Sequence, residues 1–445
     1  MKIVMMCVGT RGDIQPSCVL GRELKNLGHQ VRVITEKRLK YIVDQYHLEF
    51  WEINGDSCSV LFDTDNQKWL NQLSLEQLMI EKKKIDLSVS GRLDGFLEGA
   101  IGMDLIIANA LTLSEGICIS EKLNIPMMLL LLLPTLPTTS FPNLFFTKYN
   151  LYFKYLNGLT HSIVIDYLTK HEIERIGDWR TKNLELEPFS SDYIREYYVN
   201  RNQEIILAFD EVILPGEKVP DDYEKNWNVI GFLFPNETDY LPIEDRLLKF
   251  LRESPTPPIT FGLGSMPVDE QTTRRILNIL IKVCCKHLSQ RLIILNNWSN
   301  FKICETVYKK YAEQFIILND VDHCWLFKQC SLVIHHGGVG STAAVLHSGV
   351  PSIVTWMYFD QPYWGYRIEQ LGIGKSMKLH DITKESLLKA IKDILYTKSY
   401  HDKALLISEK IKQTKSNTTQ LAIDVINKVV KNHYNSLTIN EKKMA

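Results

Sequence analysis

Residues 331–351, SLVIHHGGVGSTAAVLHSGVP, run from an apolar strand into two histidines, three near-adjacent glycines and then small helix-forming residues. The pattern predicts a strand that ends in a turn made by Gly337, Gly338 and Gly340, with Ser341 and Thr342 opening a helix. Bare backbone lets a ligand approach closely, and the unpaired N–H groups of a helix N-terminus direct positive charge at an anion. Such a turn is a diphosphate cradle, with His336 at the strand edge donating to a phosphate oxygen and Ser341 or Thr342 adding a hydroxyl. A ligand-free turn explains the same glycines, so the neighbouring sequence has to discriminate.

Two neighbours do so. FGLGS at 261–265 predicts another strand ending in a glycine loop, with Ser265 as a further donor. After the cradle helix, PSIVTW predicts the next strand, and Asp360 and Gln361 follow it. In a parallel sheet these loops open on one edge, where ligands bind. A carboxylate beside an amide suits vicinal sugar hydroxyls, because one accepts and the other both accepts and donates.

Working outward, the first 35 residues read as a β-loop-α-β unit: KIVMMCV, the loop GTRGD, a helix over about 15–27, then VRVIT. Further strands are expected at 104–109, 126–133, 204–209 and 227–234. Prolines cluster from 235 to 258 around a short charged helix, which marks a linker. The pattern then restarts with strands in PITFGLGS, RLIILN, QFIIL, SLVIHH, PSIVTW and GIGKSM, and helices over about 271–288 and 382–396. Alternating strands and helices predict an α/β protein of two facing Rossmann-like domains. The expected divisions are 1–238, 239–400, and a helical region 401–445 that packs back towards the N-terminal domain, its polar tail fraying after about 430.

Composition narrows the function. At 445 residues and 45% apolar, the chain is long enough for two or three cores. Lys and Arg total 51 against 52 acidic residues, so no field draws nucleic acid. Nine cysteines, an odd number without a CxxC pair or zinc spacing, suit reduced thiols in the cytoplasm. The N-terminus has too short an apolar run for a secretory signal. The longest apolar run, MMLLLLL at 127–133, falls well short of the roughly 20 residues that span a bilayer.

The block DVDHCWLFKQCSLVIHHGGVGSTAAVLHSGVPSIVTWMYFDQPYWGYRIEQLGIG, 320–374, resembles the nucleotide-sugar signature of UDP-dependent glycosyltransferases of GT-B fold (glycosyltransferase family 1). It is closest to the sterol glucosyltransferases and the related bacterial antibiotic glycosyltransferases. GTRGDIQPSCVLGRELKNLGHQVRVIT resembles the N-terminal motif of that branch and FGLGSM its second-half loop, in the same order. The resemblance implies two Rossmann-like domains with an interdomain cleft. It places the donor's diphosphate on His336, Gly337, Gly338, Gly340, Ser341, Thr342 and Ser265, and the sugar on Asp360 and Gln361. Gly12 is expected beside the donor, and Trp325 near the base, although an indole there is equally a core residue. Asp13 stands where plant relatives carry a histidine and where this branch carries aspartate. It is the expected base for one in-line displacement, giving a β-linked product. From position alone, Asp13 reads instead as the cap of a helix starting near Ile14.

The implied reaction moves a hexose, glucose from UDP-glucose first of all, onto a sterol, polyketide or other lipophilic alcohol. UDP-sugar is a co-substrate; no metal or other cofactor is expected, and the DTD at 63–65 and DVD at 320–322 read as chance matches to a metal motif. The chain departs from the sterol branch in WMYFDQ, where Trp356 replaces a proline and Phe359 a glycine beside the sugar pocket. FPNLFFTKYNLYFKYL, 141–156, is a candidate lining for a lipophilic pocket, or an amphipathic helix packed on its own core. EKRLK at 36–40 and EKKK at 81–84 are candidates for transient membrane-surface contact of a cytoplasmic protein, or simply solvated runs. Two other readings share the cradle: a GT-B-like sugar-nucleotide epimerase, and a nucleotide-sugar-binding protein without catalysis. A dehydrogenase is disfavoured, because GTRGD lacks GxGxxG and VRVIT ends without an acidic ribose ligand.

Overall fold

In a computed structural model, residues 1–57, 75–151, 153–199, 203–266, 268–296 and 310–444 are described. They form two compact units, one of residues 1–57, 75–235 and 414–444, the other of residues 236–413. The metal-motif mimic at 63–65 lies outside the described residues.

The first unit contains β1 (Lys2–Met6), α1 (Arg11–Asn26), β2 (Gln30–Glu36), α2 (Lys40–Gln45), β3 (Glu49–Ile53), α3 (Leu75–Ser88), α4 (Arg92–Ala100) and β4 (Leu105–Ala108). It continues through α5 (Leu113–Leu123), β5 (Met127–Leu131), α6 (Lys154–Asp178), α7 (Tyr193–Val199), β6 (Ile205–Leu207) and β7 (Trp227–Val229). The sheet order is β3-β2-β1-β4-β5-β6-β7, with every pair parallel. Helices cover both faces of such a sheet, so the central strands are apolar without alternation. Ile3 opposes Val31 on one side and Leu105 on the other, and all three are buried.

The second unit repeats the design. It holds α8 (Asp245–Arg252), β8 (Ile259–Gly262), α9 (Glu270–Ile281), β9 (Leu292–Leu295), β10 (Phe315–Leu318), α10 (His323–Leu326), β11 (Leu332–His335) and α11 (Val339–Ser348). β12 (Ser352–Trp356), α12 (Gln361–Gln370), β13 (Gly374–Lys378) and α13 (Lys384–Tyr396) follow, and α14 (Lys398–Met444) ends the chain. Its parallel sheet runs β10-β9-β8-β11-β12-β13. In both sheets the winding reverses once, between β1 and β4 and between β8 and β11. Those two switch points open the crevices where doubly wound sheets bind ligands.

β7 stops at Val229, short of the strand expected to 234, and three helices differ from expectation for local reasons. α1 starts at Arg11, because Thr10 caps it. The helix expected to run to 288 leaves α-geometry after Ile281 and continues as a wider π turn, Lys282–His287. α14 continues through the polar tail to Met444, no glycine or proline occurring after Gly374 to break it. Within α14, Ser408 donates to His347 O at 2.7 Å in the second unit, whereas Ala422, Ile426 and Val429 join the core beneath β1 and β4.

Candidate functional site

At the switch point of the second unit, β11 delivers His336 into a turn, and α11 begins with Gly338 as its N-cap. Side chains cap three helices of this unit, Asp269 accepting from Thr272 N in α9, Asp322 from Cys324 N in α10 and Thr383 from Ser386 N in α13, whereas α8, α11 and α12 have no side-chain cap. α11 has no side-chain cap, so its first-turn N–H groups, at the positive end of the helix dipole, are left open. Steric crowding excludes a cap. A Cβ on Gly338 would lie 2.3 Å from His336 Nε2, and one on Gly264, in the loop after β8, 2.5 Å from His336 Cε1. The imidazole is thus clamped between two bare backbones, 7% exposed, and burial lowers its pKa to about 4. At neutral pH it is uncharged and acts on an anion as a hydrogen-bond donor only.

The hydroxyls beside the turn divide. Thr342 is buried and donates to Gly338 O at 3.0 Å, so its proton is already engaged. Ser341 is buried without a hydrogen bond from its side chain, and Ser265, half-buried in the loop after Gly264, has none either among the described residues. Gly340 is exposed in the first turn of α11, and Gly337 takes φ +90°.

Asp360 precedes α12 and accepts from Trp364 Nε1 at 2.7 Å. Gln361 is buried, its Oε1 held by the N–H groups of Met357 and Tyr358, which leaves the amide's donor end without a hydrogen bond among the described residues. Phe359, one of the departures noted above, stands at φ +57°, a conformation suited to glycine. Trp325 is half-buried on α10, and Asp322 of the DVD triplet accepts from Cys324 N and Trp325 N, which makes that triplet a helix cap.

The first unit places Asp13 in the third position of α1. Thr10 N donates to Asp13 Oδ2 at 2.7 Å and Thr10 Oγ1 to the same oxygen at 3.1 Å, while Gly12 N donates to Thr10 Oγ1. This is a capping box, and Asp13 is its reciprocal partner rather than the cap itself. Both bonds from Thr10 fall on Oδ2. Burial raises the Asp13 pKa, and the hydrogen bonds from Thr10 oppose that rise. Gly9, at φ +123°, makes room for the carboxylate: a Cβ there would meet Asp13 Oδ2 at 2.4 Å.

Sequence reasoning missed the groups that hold this loop. Asn109, just past β4, donates to Val8 O at 3.0 Å, and Arg38 donates to Gly9 O at 3.1 Å. It also passed over His335, the first of the two histidines. His335 Nδ1 accepts from Gly337 N at 3.2 Å, which puts its proton on Nε2, buried and without a partner. The adjoining cavity, lined in part by His323, Ser341 and Thr260, has room for about one water molecule. The doublet HH was the available signal.

Several side chains of the candidate charge runs are ion-paired. Glu36 is buried, Arg38 pairs with Glu36 and Asp56, and Lys40 with Asp44. Lys82 pairs with Glu172 and Lys83 with Glu174.

Comparison with known proteins adds to the geometry. The family model "Glycosyltransferase family 28 N-terminal domain" matches residues 3–142, and "Erythromycin biosynthesis protein CIII-like, C-terminal domain" matches residues 315–426. A sterol 3-beta-glucosyltransferase of Arabidopsis thaliana is 27% identical over 405 residues, 89% of this chain and 63% of that protein. One of Pichia angusta is 25% identical over 431 residues, 96% of this chain and 33% of that protein. The chain therefore spans less than two thirds of the length of these curated relatives. Among solved structures, the kitacinnamycin glycosyltransferase superposes with a TM-score of 0.70 at 16% identity, covering 96% of this chain and 99% of that one. Glycosyltransferase VinC in complex with dTDP gives 0.63 at 15% identity, covering 97% and 100%. The fold shared with these structures is GT-B.

Proposed function

From its similarity to glycosyltransferases and its GT-B fold we propose that this chain transfers a hexose, glucose from UDP-glucose in the first instance, to a hydroxyl of a lipophilic acceptor such as a sterol. The observation that carries the reading is the uncapped N-terminus of α11 at a switch point, kept bare by the packing of His336 against Gly338.

The donor's diphosphate sits on the first-turn N–H groups of α11, with neutral His336, Ser341 and Ser265 donating to its oxygens. Thr342, whose proton is engaged, is the weakest member of that set. The Gln361 amide donor and Asp360 hold sugar hydroxyls. The acceptor's O–H passes its proton to Asp13 Oδ1 as its oxygen bonds to the anomeric carbon. The bond from that carbon to the β-phosphate oxygen breaks, and the diphosphate leaves with the electron pair. One displacement inverts the anomeric centre, so an α-linked donor gives a β-glycoside. A carboxylate whose pKa burial has raised is a stronger base than an ordinary aspartate, near 3.9. The scheme asks for no metal: helix N–H groups and hydrogen-bond donors stabilise the leaving charge. A lipophilic acceptor partitions into bilayers, so transient membrane contact belongs to the proposal, and the buried free thiols suit the cytoplasm.

Asp13→Asn tests it. Asparagine can still accept from Thr10 N and so keeps the cap, whereas it cannot take a proton. We expect turnover to fall by about 10²–10⁴ with donor affinity by calorimetry and melting temperature unchanged. A fall in stability matched to the fall in turnover returns Asp13 to a structural role. UDP-sugar turnover without any acceptor identifies an epimerase instead.

A further inference from the structure

α6 is built inside out over its first three turns. Its inward residues are polar: Asn157 donates to Thr139 O and Asn150 Oδ1, Thr160 accepts from Asn143 N, and His161 bonds Asn143 and Phe141 O. These bonds pin the preceding loop, residues 139–151, against the helix. The outward residues are apolar: Tyr155, Leu156, Leu159 and Ile163 recur at helical spacing and are 77%, 40%, 41% and 45% exposed. Phe146, Tyr149 and Phe153 extend the patch into the loop, and Phe153 is 70% exposed. Within the stretch 141–156, Phe141 and Leu144 are buried, whereas Phe146, Tyr149, Phe153, Tyr155 and Leu156 are exposed. Seven large apolar side chains exposed between residues 146 and 163 mark an interaction site, because a water-facing helix ordinarily carries the opposite pattern.

Charge indicates what covers it. Residues 141–163 hold Lys148 and Lys154 and no aspartate or glutamate. Asp222, the carboxylate nearest the loop in bonding terms, is engaged by Thr138 and Thr139. Phe153, as N-cap of α6, offers no side-chain acceptor, so the positive end of that helix is not neutralised. Aromatic rings with polar edges, aliphatic residues on one helix face and flanking lysines fit the boundary between acyl chains and anionic headgroups. We propose that the face formed by Phe146, Tyr149, Phe153, Tyr155, Leu159 and Ile163 docks the protein on an anionic phospholipid bilayer.

The test needs neither donor nor acceptor, so it stands or falls apart from the transferase reading. The full chain is floated through a density gradient with vesicles of phosphatidylcholine alone or mixed with phosphatidylserine. The protein floats with the mixed vesicles, less so as salt rises, and Tyr155→Glu with Leu159→Glu lowers the bound fraction at least about tenfold. Lys148→Glu with Lys154→Glu weakens binding to the mixed vesicles selectively. Tyr155, Leu159 and Lys154 are exposed and Lys148 is half-buried over the Tyr149 ring, so melting temperature is read beside flotation in each variant and stays close to the unsubstituted value. Failure of the unsubstituted chain to float, or equal flotation of the variants, overturns the proposal. So does light scattering that shows a dimer which Tyr155→Glu dissociates, since the face then belongs to a second copy.

Discussion

Phe359 holds φ +57°, which costs a residue with a Cβ about 1 kcal/mol or more, and it packs against Met266 and Tyr358. Removing the ring forfeits that packing in either a glycine or an alanine variant, but only glycine also relieves the backbone. Phe359→Gly should therefore be more stable than Phe359→Ala by about 1 kcal/mol in urea unfolding, the reverse of the usual order. Alanine as the more stable of the two would show that the backbone is not strained. His336 makes a prediction about pH. Its folded pKa of about 4 lies below the ordinary value near 6.5, so the unfolded chain takes up the proton first as pH falls. The stabilisation is complete above about pH 6.5 and is lost as pH falls towards about 4, up to about 3 kcal/mol. Thermal melts at pH 7 and pH 5 should show a smaller drop for His336→Gln than for the unsubstituted protein; equal drops would refute burial of a neutral ring.

For single elements the decisive feature is how each helix begins. α1 and α11 both follow strands at switch points, but α1 is closed by the Thr10–Asp13 box and α11 is open. Gly338→Ala places a methyl 2.3 Å from His336 Nε2, so the imidazole must move. Calorimetry should show UDP affinity at least about tenfold weaker, while fold stability shifts by only about 1 kcal/mol. Unchanged affinity would mean that the ring has no part in the cradle. Much of this was readable from the sequence. Buried parallel strands are apolar runs ending in glycine loops, so KIVMMCV, PITFGLGS and SLVIHH marked their strands and the edge on which the loops open. What escaped reading depends on contacts between distant residues. The hydrogen bond from Arg38 to Gly9 leaves no local trace, nor does that from Asn109 to Val8. The start of α1 was misplaced because Thr10 and Asp13 act as a pair. The stretch 141–156 was left open between two readings because amphipathicity tells which residues share a face, not which face meets the core.

Across the whole molecule, the core of the first unit is completed by residues from the far end of the sequence. Ala422, Ile423, Val425, Ile426 and Val429 of α14 cluster with Ile3, Leu105, Ile206 and Leu233. Thr418 donates to Ile230 O at 2.8 Å, and Gly231, at φ +91°, passes so close that a Cβ would sit 2.8 Å from the Thr418 hydroxyl. The first unit's stability therefore depends on a segment that follows all of 236–413 in the sequence. Ile426 is 1% exposed, and Ile426→Asp buries an unpaired carboxylate there, at a cost of about 3–5 kcal/mol. Hydrogen exchange read by mass spectrometry can follow each sheet separately. Amides of β1, β4 and β5 should lose protection in this variant, while those of β8, β11 and β12 keep theirs, because the second unit has its own core around Phe261 and Ile334. Loss of protection in both sheets would mean that the two units unfold as one cooperative body, and loss in neither would mean that α14 is dispensable to the first core.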